Sequence, residues 1–347
     1  MIDTVMLKLR LDRQQRENAF GAVNNLVRES GSTKYLYFDK KHGNTWQRLC
    51  RTKAFASGGI KEIALIDCCY PGNTVSYIII TCKPARVLHM GDAYALSSFG
   101  DYVQTVELIN NFIMNLNVHM GVCTLPFLNE WTVGRIDYAF QFPTKEYGLY
   151  LMFLRKGCSY KEDKYADSVY IPNSKSTVNF YDKTAERKLE DSCHTLRFEV
   201  QCYADYLYKM LYDGRIANLK LRELWNEKLA LSIVTKRIGK LIGYGDFYSI
   251  DSAETVLRET SRVSEYEIKA LRQLLGLSLY PSVRRESQWN LFAVRNEKDD
   301  ADGKVKERLT RILKRAGVNQ MAIPVRRRVE MLKNPVRIIL ESLQVPE

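Results

Sequence analysis

The stretch STVNFYDK, residues 176 to 183, alternates its side chains with the period of a β-strand. Val178, Phe180 and Asp182 fall on one face, and Thr177, Asn179, Tyr181 and Lys183 fall on the other. Phe180 therefore reads as a core residue, while Tyr181 stands beside Lys183 on a polar face. Two further stretches repeat the pattern. In RIDYAFQF, residues 135 to 142, Ile136, Tyr138, Phe140 and Phe142 oppose Arg135, Asp137, Ala139 and Gln141. In TLRFEVQC, residues 195 to 202, Leu196, Phe198, Val200 and Cys202 oppose Thr195, Arg197, Glu199 and Gln201. Strands of this kind bury one face against helices and leave the other open. In one sheet, the three would gather Arg135, Asp137, Tyr181, Lys183, Arg197 and Glu199 on a single surface. The expected class is α+β: an antiparallel sheet flanked by helices, with a helical C-terminal region.

The pattern extends outward in two cycles. The first 90 residues read as strands (DTVMLKLRL, KYLYFDKKHGNTW, IKEIALIDCCY and VSYIIITCKP), with PGNT as a turn. A long amphipathic helix is expected within residues 92–117, with Val103, Val106, Leu108, Ile109, Phe112, Ile113 and Leu116 at helical spacing. The second cycle holds RIDYAFQF, a helix KEYGLYLMFLRKG stopped at Gly157, the other two strands, and a helix YADYLYKMLYDG capped by Gly214. The cycles suggest a degenerate two-fold repeat, with halves 1–125 and 126–245. In that alignment Phe38 of YFDK lies opposite Tyr181, and Ile79 lies opposite Glu199. GYGDFYS, residues 243 to 249, reads as a hinge. Residues 1–245 are expected to form the catalytic domain, and 246–347 a basic helical region that binds DNA or packs on it.

Composition narrows the partners. The 347 residues are 46% hydrophobic and 27% charged, which suits a globular chain with a real core, and the net charge is +12. Residues 301–347 hold eleven Lys/Arg against five Asp/Glu, half of that surplus. Lys314, Arg315, Arg326, Arg327 and Arg328 are the densest part. A patch of this sort suits nucleic-acid phosphates, with strongly salt-dependent binding. The bland alternative is a solvated helix pair that packs through Leu309, Ile312 and Leu313. None of the eight cysteines stands in a Cys-x-x-Cys spacing, which argues against a zinc ribbon. The N-terminus reads as a strand and not a signal peptide, and no apolar run reaches membrane-spanning length. A cytoplasmic protein with reduced thiols is expected.

The polar surface suits phosphodiester transfer. A tyrosine oxygen can attack phosphorus, two carboxylates can hold a divalent metal, and a lysine or arginine can offset developing charge. Cross-strand ion pairs on an ordinary half-exposed sheet would show the same residues. The order of motifs resembles a known family. MIDTVMLKLRL, CKPARVLHMGDAYALSSFGD, TVGRIDYAFQF and LRFEVQC, together with a strand tyrosine followed closely by lysine, are similar to the origin-nicking replication initiators of filamentous bacteriophages and their rolling-circle plasmid relatives. The resemblance spans roughly residues 1 to 215.

It implies Tyr181 as nucleophile, Lys183 as its activator or phosphate contact, and Asp137 and Glu199 as ligands of a divalent metal, Mg2+ or Mn2+, or organisers of the site. Arg135 and Arg197 would be DNA contacts. The implied partners are double-stranded origin DNA and its nicked strand, with a host helicase and polymerase; a dimer stays open. Many such initiators carry a His-hydrophobe-His metal motif. The four histidines here, His42, His89, His119 and His194, are not close in sequence, so carboxylates with at most one histidine are expected. Tyr160, Tyr165 and Tyr170 are competing tyrosines. A relaxase of a conjugative element, or a non-catalytic DNA-binding regulator, remain alternatives.

Overall fold

The structure is a computed structural model, and it describes residues 1–31, 36–40, 47–70, 73–88, 95–121, 123–157, 168–172, 175–186, 194–295 and 302–342. The strands are β1 (Ile2–Leu11), β2 (Leu36–Lys40), β3 (Gln47–Thr52), β4 (Ile60–Tyr70), β5 (Asn73–Cys82), β6 (Thr132–Thr144), β7 (Ser168–Ile171), β8 (Ser176–Asp182), β9 (His194–Tyr203), β10 (Phe247–Tyr248) and β11 (Met331–Leu332). Helices up to the second cycle are α1 (Arg13–Glu29), α2 (Pro84–Leu88), α3 (Tyr102–Val118), α4 (Tyr147–Gly157), α5 (Lys183–Glu186) and α6 (Ala204–Tyr212). Then follow α7 (Leu221–Leu224), α8 (Glu227–Ile242), α9 (Ile250–Thr260), α10 (Glu265–Leu277), α11 (Arg285–Arg295), α12 (Asp302–Ala316) and α13 (Pro335–Ser342). The expected α+β class, with its antiparallel sheet and helical C-terminal region, is what the chain adopts.

Among the described residues, nine strands form one sheet in the order β2-β3-β4-β5-β1-β6-β9-β8-β7. The RID strand, the RFE strand and the tyrosine strand are therefore consecutive neighbours. The order also carries a two-fold pattern. Outward from β1 run β5, β4, β3 and β2, and outward from β6 run β9, β8 and β7. Each set opens with its central strand and a helix, and lays its last strand beside the first. This order matches β5 with β9, as expected. It matches β8 with β4, not with β2, so the expected equivalence of Phe38 and Tyr181 does not hold.

Two compact units share the chain. The first comprises Met1–Phe140, Pro172–Thr177 and Glu199–Ala230, and the second Gln141–Ile171, Val178–Phe198 and Leu231–Glu347. Neither coincides with the stretches 1–245 and 246–347. In the first unit, α1 buries Ala19, Ala22, Val23 and Val27 and packs on β1 and β5. The Asp12 side chain caps α1, and Gln15 completes a capping box that satisfies its first amides. Helix α3 buries Thr105, Ile109, Ile113 and Leu116. Val103 and Leu108, expected on its apolar stripe, are instead exposed, because the four buried residues form a single narrow line along the helix. Cys82 and Cys202 are fully buried free thiols, and burial pushes the Cys82 thiol up to about 12.

In the second unit, Phe198 stacks on Phe142 and meets Phe180 edge-on at 3.9 Å between ring centroids. Phe180 is thus the core residue its alternation implied. Helix α4 buries Leu149, Tyr150, Leu151, Phe153 and Leu154. Gly157 ends it without a left-handed turn. A Cβ there would sit 1.9 Å from the Leu241 carbonyl oxygen, so glycine allows a close backbone approach. Helices α9, α10, α11 and α12 share a core of Leu257, Leu271, Leu274, Trp289, Phe292, Leu309 and Leu313.

The expected hinge at 243–249 is a knot. Asn319 Nδ2 donates to the carbonyls of Ile242 and Gly245, and Asn334 Nδ2 to those of Gly243 and Gly245. Buried Asp246 accepts from the Asn334 amide at 2.7 Å and from Arg337 Nη1 at 2.6 Å. Satisfying these carbonyls removes the freedom that a Gly-rich stretch has in isolation. Among the described residues, no helix is long and apolar enough to cross a membrane.

Candidate metal centre and tyrosine strand

The first unit brings three carboxylates together. Asp3 of β1, Asp137 of β6 and Glu199 of β9 place oxygens within 4.8 Å of one another, and all three residues are buried. Asp137 and Glu199 were expected from strand alternation. Asp3 was missed for a definite reason. Counting back from buried Val5 and Leu7, alternation puts Asp3 on the core face and Ile2 on the polar one. The structure has a register shift between Ile2 and Thr4, so that Ile2 pairs with Tyr138 and Thr4 with Asp137. Asp3 is the extra residue of this bulge, which turns its carboxylate to the polar face and returns Ile2 to the core, where it is fully buried.

Each carboxylate has a dedicated holder. Arg135 Nε donates to Asp137 Oδ1 at 2.7 Å and Nη2 to Oδ2 at 2.6 Å, a bidentate fork from the same strand face. Gln201 Nε2 donates to Glu199 Oε1 at 2.6 Å, again two residues along. Thr4 Oγ1 donates to Asp3 Oδ2 at 2.8 Å, with Lys83 Nζ 3.8 Å from the same oxygen. The Tyr203 hydroxyl donates to Gln201 Oε1, meets Thr177 Oγ1 at 3.0 Å, and its ring lies under the Arg135 guanidinium.

Three acids this close cannot all ionise cheaply. Burial pushes the Asp137 carboxyl up to about 7; Glu199 and Asp3 push the same way, and the Arg135 fork opposes them. Glu199 is raised as well, first by burial and then by Asp3. Hard carboxylate oxygens clustered in this way fit a hard divalent cation such as Mg2+ or Mn2+. No histidine joins the group among the described residues. His119 pairs with Glu29 and His194 with Asp182; His42 and His89 lie outside the described residues.

Tyr181 and Lys183 belong to the second unit. Tyr181 is half-buried on β8, where it pairs with Ser168 of β7. Lys183 is buried at the first residue of α5, past the strand end, with its Nζ 5.5 Å from the Tyr181 ring centroid. Two clamps fix this step. Buried Asp182 accepts from the Thr184 amide at 2.9 Å and meets His194 Nδ1 at 2.5 Å, and Thr184 Oγ1 accepts from the Thr195 amide. The ring of His194 also lies 4.0 Å from that of Tyr147. Asp182 was read merely as sharing a face with Phe180; its pairing with a distant histidine has no local signal. Tyr170 is exposed on β7, and Tyr160 and Tyr165 lie outside the described residues.

The expected DNA contacts divide. Arg197 is 1% exposed and donates from Nε and Nη2 to Gln141 Oε1. It braces β9 and has no surface to offer a duplex, contrary to expectation: the sheet's polar face is covered at this position. Arg135 is committed to Asp137. Lys314, Arg315, Arg326, Arg327 and Arg328 are all exposed, and among the described residues none forms an ion pair. By contrast Arg258, Arg272, Arg308, Arg311 and Arg337, also of the second unit, are each held by a carboxylate.

No protein-family model and no curated protein sequence matches the chain. Among solved structures, it is similar to the one titled "Structure of Rolling Circle Replication Initiator Protein from Geobacillus stearothermophilus", at 10% identity over 62% of this chain and 79% of that one, with a TM-score of 0.26. A likeness at that level decides nothing about the site, which stands on its own geometry.

Proposed function

We propose that the protein is a DNA nicking-joining enzyme of the rolling-circle initiator kind, serving a phage, plasmid or integrated element. The convergence of Asp3, Asp137 and Glu199 is the observation that carries this reading. A buried trio of acids is costly to keep unless a cation repays it. The trio would hold Mg2+ or Mn2+, which when bound would polarise an oxygen of the scissile phosphodiester. Arg135, Gln201, Thr4 and Lys83 keep the carboxylates oriented, as second partners of metal ligands do.

Tyr181 is the proposed nucleophile. Its oxygen bonds to phosphorus and gives up its proton; the bond from phosphorus to the 3′ oxygen breaks, and that oxygen leaves as a protonated hydroxyl. The enzyme keeps the 5′ phosphate as a phosphotyrosine. Lys183, buried with its Nζ beside the Tyr181 ring, stabilises the phenolate. The reverse attack by a 3′ hydroxyl rejoins a strand.

The test is nicking of supercoiled DNA carrying candidate origins, with Mn2+ supplied. The parent should form a covalent protein–DNA adduct and Tyr181→Phe none. Asp137→Asn should lose the adduct while still retarding DNA in a gel. An adduct that survives in Tyr181→Phe moves the nucleophile to another tyrosine. Nicking that survives chelation of all divalent metal removes the role of the carboxylates.

A further inference from the structure

The second unit presents a narrow turn whose residues are unusual together. A single 3-10 turn, Val325–Arg327, is followed by Arg328, and Arg326, Arg327 and Arg328 are all exposed. None of the three is paired with a carboxylate among the described residues. Val325 at its start is 71% exposed, so an apolar side chain accompanies the cations. Arg328 takes φ 53, and among the described residues it is the one non-glycine with a positive φ. Glycine or asparagine would hold that position without strain. An arginine kept there points to a use for its side chain.

The turn is firmly mounted. Met321, Ala322 and Ile323 before it are at most 1% exposed, and the Ile323 amide donates to the Tyr248 carbonyl. After it, Leu332 pairs with Phe247 in the β10–β11 ladder. The tip therefore does not need to be ordered on binding, which saves affinity. Successive side chains in a 3-10 turn point about 120° apart. Arg326 and Arg327 diverge in this way, and the left-handed backbone at Arg328 takes the third arginine out of that series. Three adjacent arginines that diverge do not suit a single row of phosphates. They suit a cleft with a negative floor and phosphates along both walls.

We propose that this turn enters the minor groove of duplex DNA, with one guanidinium on the groove floor, the others on the flanking phosphates and Val325 against the sugars. The proposal rests on the reading of the chain as a duplex-DNA protein, and it names the groove and the reading element. A narrow minor groove over A-tracts concentrates negative potential and favours arginine. Lys314 and Arg315, exposed at the end of α12, supply sequence-independent phosphate contacts.

The experiment is fluorescence anisotropy of the full chain on short duplexes, one with a central A-tract and one all G·C, across a salt series. The A-tract should bind about tenfold tighter, and netropsin, which fills that groove, should abolish the difference. The variant R326Q/R327Q/R328Q should lose the preference and lower the salt slope by up to about three. R326K/R327K/R328K should keep most of the slope and lose the preference, since the charge remains and the guanidinium does not. R328G should raise the melting temperature and weaken A-tract binding together, an outcome a merely structural arginine would not give. Equal binding of the two duplexes, a preference that survives in the lysine variant or under netropsin, or tighter binding of single strands or double-stranded RNA would each overturn the proposal. Nicking by the same preparations is scored separately. Lost nicking with intact A-tract preference counts against the nicking reading alone, and the converse counts against the groove alone.

Discussion

At the scale of single residues, Asp137 has the most consequences. Its carboxyl ordinarily titrates near 3.8 and is pushed up to about 7 in the fold. Between those values the folded protein binds the proton more tightly than the unfolded chain does. The contribution of this group to stability without metal is therefore fully present below about pH 4, falls as pH rises, and is lost above about pH 7. Melting of the chelated protein should accordingly drop between pH 5 and 8, and Asp137→Asn should flatten that drop. Added Mn2+ should raise the melting temperature more at pH 8 than at pH 5, because it competes with protons for the same oxygens. Asp3→Asn tests the bulge. If Asp3 is a third ligand, Mn2+ affinity measured by calorimetry should fall by one to two orders of magnitude, roughly what disturbing a metal's surroundings costs.

At the scale of elements, the second unit depends on three aromatic rings and two asparagines. Phe198 lies between Phe142 and Phe180, so Phe198→Ala should cost about 3–5 kcal/mol in chemical denaturation. Asn334 holds the carbonyls of Gly243 and Gly245 through Nδ2 and the Val336 amide through Oδ1. Removing it takes these partners from the Gly243 carbonyl and the Val336 amide, while Asn319 still holds the Gly245 carbonyl. Asn334→Ala should therefore cost more than about 2 kcal/mol, and amide exchange should quicken around residues 243–246 before it does in α10. Unchanged exchange there would mean that the stretch is held by something else. The clamp from Thr184 to the Thr195 amide is a smaller matter; Thr184→Val should cost about 1 kcal/mol.

At the scale of the whole molecule, charge is arranged by pairing as much as by number. Half the net surplus lies in residues 301–347, yet some of those cations are already neutralised. Arg308 is held by Glu267 and Arg337 by Asp246 and Glu341. Replacing Lys314 and Arg315 with glutamine should lower the salt slope of DNA binding by up to about two. Replacing Arg308 should barely move that slope and should instead loosen the packing of α12. Counting basic residues would predict equal effects for each charge removed.

The amino-acid sequence by itself determined the strands, their apolar and polar faces, the core role of Phe180 and two of the three clustered acids. Those follow from periodicity, which is a local property of a chain. It also placed the cap at Gly214, where the backbone demand acts within a few residues. Only the tertiary structure decided the rest. A one-residue bulge reverses which face Asp3 takes, and alternation carries no sign of it. Arg197 became a brace because a glutamine from another strand reached it, and the Gly-rich stretch at 243 became rigid because two asparagines from far along the chain close on its carbonyls. Whether a charge is free or spent, and whether a loop bends or holds, depends on what the fold brings beside it.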